Sequence, residues 1–545
     1  MTRISDILRK IDGRGFKAYK ALKGAQESVG RVSVRVVKVQ GDPFAPPSVV
    51  RAETVWRGPR EALRHPVALA DWIARRLHLS LRRVSRKLGE GYSGLLAVPK
   101  PGPIMIRRSS VEVRGSQVIL RVWAGLPSRR RRVLASLAEE LILKRLPVAV
   151  EEALKGFEGL DDHIYAWRLQ EGLRSQLKEM KLVSFVGDGS ILPRRCGGCE
   201  DPLPGAIPFE SPPSLRVSLE GPRGEEVTGM GVPRGFTVIA GSAFHGKSTL
   251  LEAIAAGVWN HIPGDGREKV VTTRSSMYVR AEDGRFVSCV DVSPMIHSLP
   301  GGVDTRCFTT ADASGATSTA ASIQEAVEAG AELIMLDEDT AATNILYVDE
   351  RIGGLVEKHT VTPISMLARS MVDSGISILV ASSGSLPLLA IADTVIVMES
   401  YRPRDATHEA KSLASRYGTV VPQKKYRTPI PRVVLKVPRL EKPKLRSGRL
   451  EDKTLLAPVD LRLNLHLAEE SQLNSLLRIT SILDKLEGKA IGDWLETAEK
   501  YVIDWLGETL KEPGPALGEV RTLDIAFLVN RIPGLKAKLI EKPKA

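Results

Sequence analysis

Nine residues, Gly241 to Thr249, read GSAFHGKST and limit the fold more than any other stretch of the chain. They fit G-x-x-x-x-G-K-[ST], a loop whose backbone N–H groups cradle nucleotide phosphates. Gly241 and Gly246 let the backbone curl without a clashing Cβ, and Ser242, Ala243, Phe244 and His245 carry the N–H groups between them. Lys247 brings a point charge to the β and γ phosphates, Ser248 offers a hydroxyl to Mg²⁺, and Thr249 closes the motif. Residues 235–241 (GFTVIAG) form an apolar run of strand type, and Ser248–Val258 has the apolar spacing of a buried helix. Strand, glycine loop and helix start therefore follow in the order that aims a helix dipole at the anion.

A second constellation completes the chemistry. Glu332–Leu336 (ELIML) predicts a strand that delivers Asp337, Glu338 and Asp339. Hydrolysis of a nucleoside triphosphate needs a metal held at the phosphates and a residue that orients the attacking water. Asp337 suits the metal, together with Ser248, and Glu338 suits the water as general base. Ser314, followed by Gly315, lies 23 residues before Asp337, at the predicted start of a helix. A hydroxyl, an N–H and a helix dipole there can bind a γ-phosphate, although a serine at that place is also an ordinary N-cap.

Composition sets the frame around these motifs. At 545 residues the chain predicts two to four domains. No apolar run is long enough to span a bilayer, and the N-terminus lacks the apolar core of a signal peptide, so a soluble protein of the cytoplasm is expected, with no membrane partner. Four cysteines argue against a disulfide framework. Zinc would need all four to converge, so the CGGC of Cys196–Cys199 reads as a tight turn. A net charge of +14 suggests an anionic partner.

The chain in order predicts an α+β N-terminal domain over 1–225, an α/β domain over 226–410, a basic linker over 411–455 and a small, mostly helical domain over 456–545. Ala68–Leu88 reads as a basic helix, Arg129–Arg132 as the opening of another that can touch phosphate, and Asp188-Gly189 and Asp283-Gly284 as hairpin turns. Strands that alternate with helices in the second block imply a mainly parallel sheet covered on both faces. Between Val421 and Leu450 stand ten Lys or Arg and one acidic residue, interleaved with Pro, a composition that resists packing. Lys424, Lys425, Arg427 and Arg432 head that run as nucleic-acid contacts. Aromatic residues are only 5%, which disfavours base-specific readout by stacking.

The order of phosphate loop, Ser-Gly signature, acidic strand end and Asp loop resembles the heads of ABC-class ATPases. FHGKSTLLEAI, HIPGDGREKVVT, RAEDGRFV, DASGATSTAASIQEAVEAGA, LDEDTAATN and ADTVIVME are similar to blocks of the predicted ATPase of the ABC class family. QGDPFAPPS, SFVGDGSILPR and VRTLDIAFLVNRIP extend the resemblance over nearly the whole chain. It implies an ABC-class P-loop head with an N-terminal and a C-terminal domain, ATP and Mg²⁺ as cofactors, and a homodimer in which Ser314 and Gly315 of one head close on ATP bound by the other. It places Asp337, Glu338 and Asp339 as Walker B, base and Asp loop. A mitochondrial member of the family is associated with RNA editing, which points to nucleic acid, RNA first, as the polymer coupled to closure. An ATP-dependent scaffold acting on protein partners is the alternative.

The chain also departs from such heads. Ser382-Ser383-Gly384-Ser385 stands where transporter-type heads carry a switch His, and no Gln suits the usual metal-and-water loop, for which Asp291 or Ser293 is the substitute. The family usually has Ser at the position of Cys196, which supports the turn over a metal site.

Overall fold

A computed structural model describes residues 2–348, 360–507 and 513–540. The chain forms two compact units: Met1–Trp167 with Glu469–Ser475 and Tyr501–Glu519, and Arg168–Ala468 with Leu476–Lys500 and Val520–Ala545. These units do not follow the sequence division. The first ends near 167 rather than 225, and the C-terminal block is shared between both instead of standing alone.

In the first unit an antiparallel sheet runs Gln26–Val29, Val32–Lys38, Ser48–Val55, Gln117–Ala124 and Leu96–Ala97, with Val111–Arg114 also beside Gln117–Ala124. Val32, Val34 and Val36 alternate into the core, as a sheet with one covered face requires. Helix Pro66–Val84 buries Leu69, Ile73, Leu77 and Leu81, one stripe at helical spacing. Beneath it lies a buried charge cluster. Asp71 meets Arg108, Arg75 at 2.8 Å and His163 at 2.8 Å, and Arg108 pairs with Glu469 at 2.6 Å. Burial acts to raise the Asp71 carboxyl, but the Arg108 and Arg75 charges and the His163 bond hold it well below the usual carboxylate range. Glu469 thus belongs to this unit because a buried arginine needs its carboxylate. Arg129–Arg132 does not open a helix. Arg130 and Arg131 both have positive φ (50° and 55°) between the paired strands Ser128–Arg129 and Arg132–Val133, the backbone of a two-residue hairpin.

The second unit is built on a six-stranded sheet: β1 (Phe236–Ala240), β2 (Ser276–Val279), β3 (Leu333–Asp337), β4 (Ser377–Ala381), β5 (Thr394–Glu399) and β6 (Arg402–Asp405). Their order is β2-β3-β4-β1-β5-β6. All pairs but the β5–β6 hairpin are parallel, so the α/β class and the mainly parallel sheet expected from sequence are those observed. FTVIA, LIMLD and SILVA are buried at every position, as strands covered on both faces must be. Helix α1 (Lys247–Ala256) packs Leu250, Leu251 and Ile254 with Ile239, Met335, Leu379 and Ile396 of the sheet. Helices α2 (Gly315–Glu328) and α3 (Ile364–Asp373) follow in the chain.

Several local expectations change here. Asp283-Gly284 is a turn, with Gly284 at φ 82°, but its flanking strands enter different sheets. β2 pairs with β3, and Arg285–Val290 pairs with Phe308–Ala313. After Asp188-Gly189 no strand returns, because Leu182–Gly187 already has Glu226–Pro233 and Val270–Thr272 as neighbours. The cysteines are disulfide-bonded, Cys196 to Cys199 across a turn and Cys289, in strand Arg285–Val290, to Cys307 just before strand Phe308–Ala313. The basic stretch is no free linker either. Tyr426 is buried with its hydroxyl 2.9 Å from Gln324 Oε1, and Arg432–Lys436 pairs with Lys536–Leu539. Among the described residues no helix is long and apolar enough to cross a membrane.

Candidate active site

Parallel pairing brings three loops to one edge of the sheet. Ala381, the last residue of β4, pairs with Ile239 of β1 on one side and Asp337 of β3 on the other. The chain leaves these strands at Gly241, Ser382 and Glu338, so the phosphate loop, the serine loop and the acidic strand end lie side by side.

The phosphate loop has the backbone its sequence demands. Gly241 has φ 136°, and an added Cβ would lie 2.5 Å from the Met398 carbonyl oxygen of β5, so only glycine fits. Gly246 (φ 96°) precedes α1, whose start carries no side-chain cap, and its first N–H groups remain open to an anion. Ser242, Ala243 and Phe244 are exposed, His245, Ser248 and Thr249 half-buried and Lys247 buried. Phe244 is 93% exposed at φ 65°, an uncommon backbone for a bulky residue. His245 Nδ1 accepts the Ser400 N–H at 3.0 Å, tying the loop to the β5–β6 turn. Lys247 Nζ donates to the Ser242 carbonyl at 2.9 Å.

Asp337 is 3% exposed, and its Oδ1 accepts the N–H of the exposed Asp339 at 3.2 Å. Glu338 is held from three directions. Oε2 accepts the Ser382 hydroxyl at 2.8 Å and the Ser383 N–H at 2.7 Å, and Oε1 accepts the Tyr347 hydroxyl at 2.7 Å. Burial acts to raise the Glu338 carboxyl. The bonds from Ser383, Tyr347 and Ser382, with the Lys247 charge, outweigh it and hold the group below its ordinary value. Burial and then the Glu338 bond and charge push the Tyr347 phenol up to about 12, so it remains a donor at neutral pH.

The oxygens of Ser248 and Asp337, at the mouths of α1 and β3, are hard donors that suit Mg²⁺. Among the described residues no group of three His, Cys, Asp or Glu could hold a metal.

The remaining predicted residues fall elsewhere. Ser314 is the exposed N-cap of α2, its Oγ accepting the Thr317 N–H at 3.4 Å. Gly315 sits against Asp283, whose Oδ1 would lie 3.2 Å from an added Cβ. No hydrogen bond joins Ser314 or Gly315 to the phosphate loop among the described residues. Asp291 and Ser293 bond to each other at 2.6 Å and to Arg427 at 3.2 and 2.7 Å. Lys424, Lys425 and Arg427 are exposed. Arg432, expected as a fourth nucleic-acid contact, is buried. It donates to Glu328 at 2.6 and 2.8 Å, to the Ser288 carbonyl and to Asn530, so its guanidinium is spent inside the fold. Tyr347 was not legible in the sequence. Its only signal is a hydroxyl nine residues beyond Glu338, and the turn of helix Thr343–Leu346 that returns it is short.

Comparison with known proteins agrees with this geometry. Residues 157–432 match a family model of ABC-class ATPases described as the P-loop domain. Residues 1–156 match the model for the N-terminal part of ATPases of the ABC class. An uncharacterized protein of Methanocaldococcus jannaschii is 32% identical over 268 residues, 46% of this chain. The chain spans 57% of that relative's length. With the P-loop model matching more than half of its residues, the chain belongs to the ATPases of the ABC class.

Proposed function

We propose that the protein hydrolyses ATP to ADP and phosphate in a head-to-tail homodimer and couples closure of the dimer to nucleic acid, RNA first. The observation that carries the ATPase reading is the register at Ala381, which sets Glu338 beside the phosphate loop. In this reading the open N–H groups of α1 and Lys247 bind the phosphates, and Ser248 with Asp337 holds Mg²⁺, which neutralises phosphate charge when bound. Glu338 accepts the proton of the attacking water. Three donors on its carboxylate make it a weak base, so it must shed at least one of them to act. Ser314 and Gly315, exposed or half-buried at the start of α2, serve the γ-phosphate of the partner protomer, and Asp339 lies along the same boundary. The coupling to nucleic acid rests on the net charge of +14 and on the exposed Lys424, Lys425 and Arg427.

Phosphate release and nucleotide binding in two variants test the chemistry. Lys247→Ala weakens ATP binding. Glu338→Gln keeps ATP bound and loses turnover by roughly 10²–10⁴, the usual contribution of a general base. Full turnover by Glu338→Gln protein would remove Glu338 from the role.

A further inference from the structure

A cleft of about 490 Å³ opens in the second unit, walled by Ser293, His297, Thr362 and the cations that follow. We propose that Arg306, Lys424, Lys425 and Arg427 make this cleft a binding site for the backbone phosphates of a single-stranded nucleic acid. The inference rests on the nucleic-acid reading above and gives it a location.

The charge is one-sided. Among the described residues four Lys or Arg side chains and His297 line the cleft, and no carboxylate does. Two acids stand next to it. Asp291 is buried and already bonded to Arg427 and Ser293, and Asp304 accepts the backbone N–H of Arg306 at 2.8 Å. Arg306 and Lys425 have no carboxylate partner among the described residues. Burial and the Lys424 ammonium hold the His297 imidazole below its ordinary value, as a positive surrounding should.

The cations are also held in place. The Lys424 N–H donates to the Met366 carbonyl of α3 at 2.7 Å, and the Gln423 amide donates to the Ser365 carbonyl at 3.0 Å. The Tyr426 N–H donates to Ser370 Oγ at 3.0 Å. Beside these anchors three cations fall within four consecutive residues, Lys424 to Arg427. A ligand therefore finds them ordered and does not bear the cost of ordering a loose basic tail. Hydroxyls add neutral donors, with Thr362 Oγ1 lying 3.4 Å from Lys424 Nζ and bonded to His297.

The lining selects phosphate over base. Among the described residues the cleft has no ring but the His297 imidazole on which a base could stack, unlike the aromatic platforms of single-strand readers of bases. Contacts of Arg and Lys to phosphates position a strand without reading its sequence.

The experiment uses the full chain and fluorescence anisotropy with short mixed-sequence RNA and DNA strands, titrated across salt. The wild-type protein binds both. The double variant Arg306→Glu, Lys425→Glu binds at least tenfold more weakly at low salt. Its log–log salt slope is shallower by roughly 1.4, about 0.7 for each single-strand phosphate that the variant leaves un-neutralised. Cooperative thermal unfolding verifies that the variant is folded, and the neutral pair Arg306→Gln, Lys425→Gln replaces it if it is not. Unchanged affinity and slope in a folded variant overturn the cleft and leave nucleic-acid binding to another surface. Failure of the wild-type protein to bind either strand at low salt overturns both readings. Binding of inorganic tripolyphosphate in place of the strands, abolished in the variant, makes this a small-anion site and overturns the strand assignment.

Discussion

The Ser382 hydroxyl donates to Glu338 Oε2 at 2.8 Å, and this bond joins the end of β4 to the end of β3. Ser382 is fully buried and opens the Ser-Ser-Gly-Ser run expected in place of the switch histidine of transporter-type heads. A hydroxyl there cannot take a charge, so it orients the carboxylate through a neutral bond. The Ser383 N–H on the same oxygen at 2.7 Å makes the serine loop a two-donor clamp, and Tyr347 closes the other oxygen.

Tyr347 is therefore the donor on Glu338 that a single substitution removes without touching the sheet. Tyr347→Phe deletes one bond to an ionised group, of about 1.5–3 kcal/mol in typical cases, and leaves Oε1 open to water. Basal turnover at saturating ATP is expected to rise several-fold, up to about tenfold for 1.4 kcal/mol, with ATP affinity unchanged. Phosphate-release kinetics beside nucleotide titration checks this. A fall in turnover would mean that the phenol holds the base in its working position.

The exposed N-cap Ser314 predicts complementation across protomers. Lys247→Ala and Ser314→Arg proteins should each be inactive alone. Mixed, they should regain measurable turnover, because one composite site then has both a sound phosphate loop and a sound signature. Subunit exchange followed by light scattering shows whether mixed dimers form. Mixed dimers without activity would favour a site complete within one protomer.

Arg432 separates a structural cation from a phosphate contact. Arg432→Ala leaves the Glu328 carboxylate buried without its partner, a loss of about 3–5 kcal/mol when one half of a buried pair is removed. A lower midpoint in denaturant unfolding is expected. Under native conditions the salt dependence of strand binding should stay as in the wild type. A variant of normal stability with weakened strand binding would return Arg432 to the anion-contact set.

The sequence by itself determined the nucleotide machinery and the class of fold, because both are written in short contiguous runs. Gly241 and Gly246 supply the positive φ that their own loop requires. FTVIA, LIMLD and SILVA are predominantly apolar runs, as strands covered on both faces are, and Asp337-Glu338 stands at the end of one of them. Tertiary structure alone decided where those strands go and which charges are spent. Asp283-Gly284 turns the chain as its residues dictate, yet β2 has its neighbour in β3, more than 50 residues further on. Lys425 and Arg432 belong to one basic run, but one faces a cleft and the other is buried on Glu328, 104 residues earlier. Glu469 and Arg108 are 361 residues apart and pair in the N-terminal unit. A local motif reports the backbone that its own residues permit. Burial, ion pairing and the donors on Glu338 come from partners distant in the chain, and only the folded arrangement brings those partners within reach.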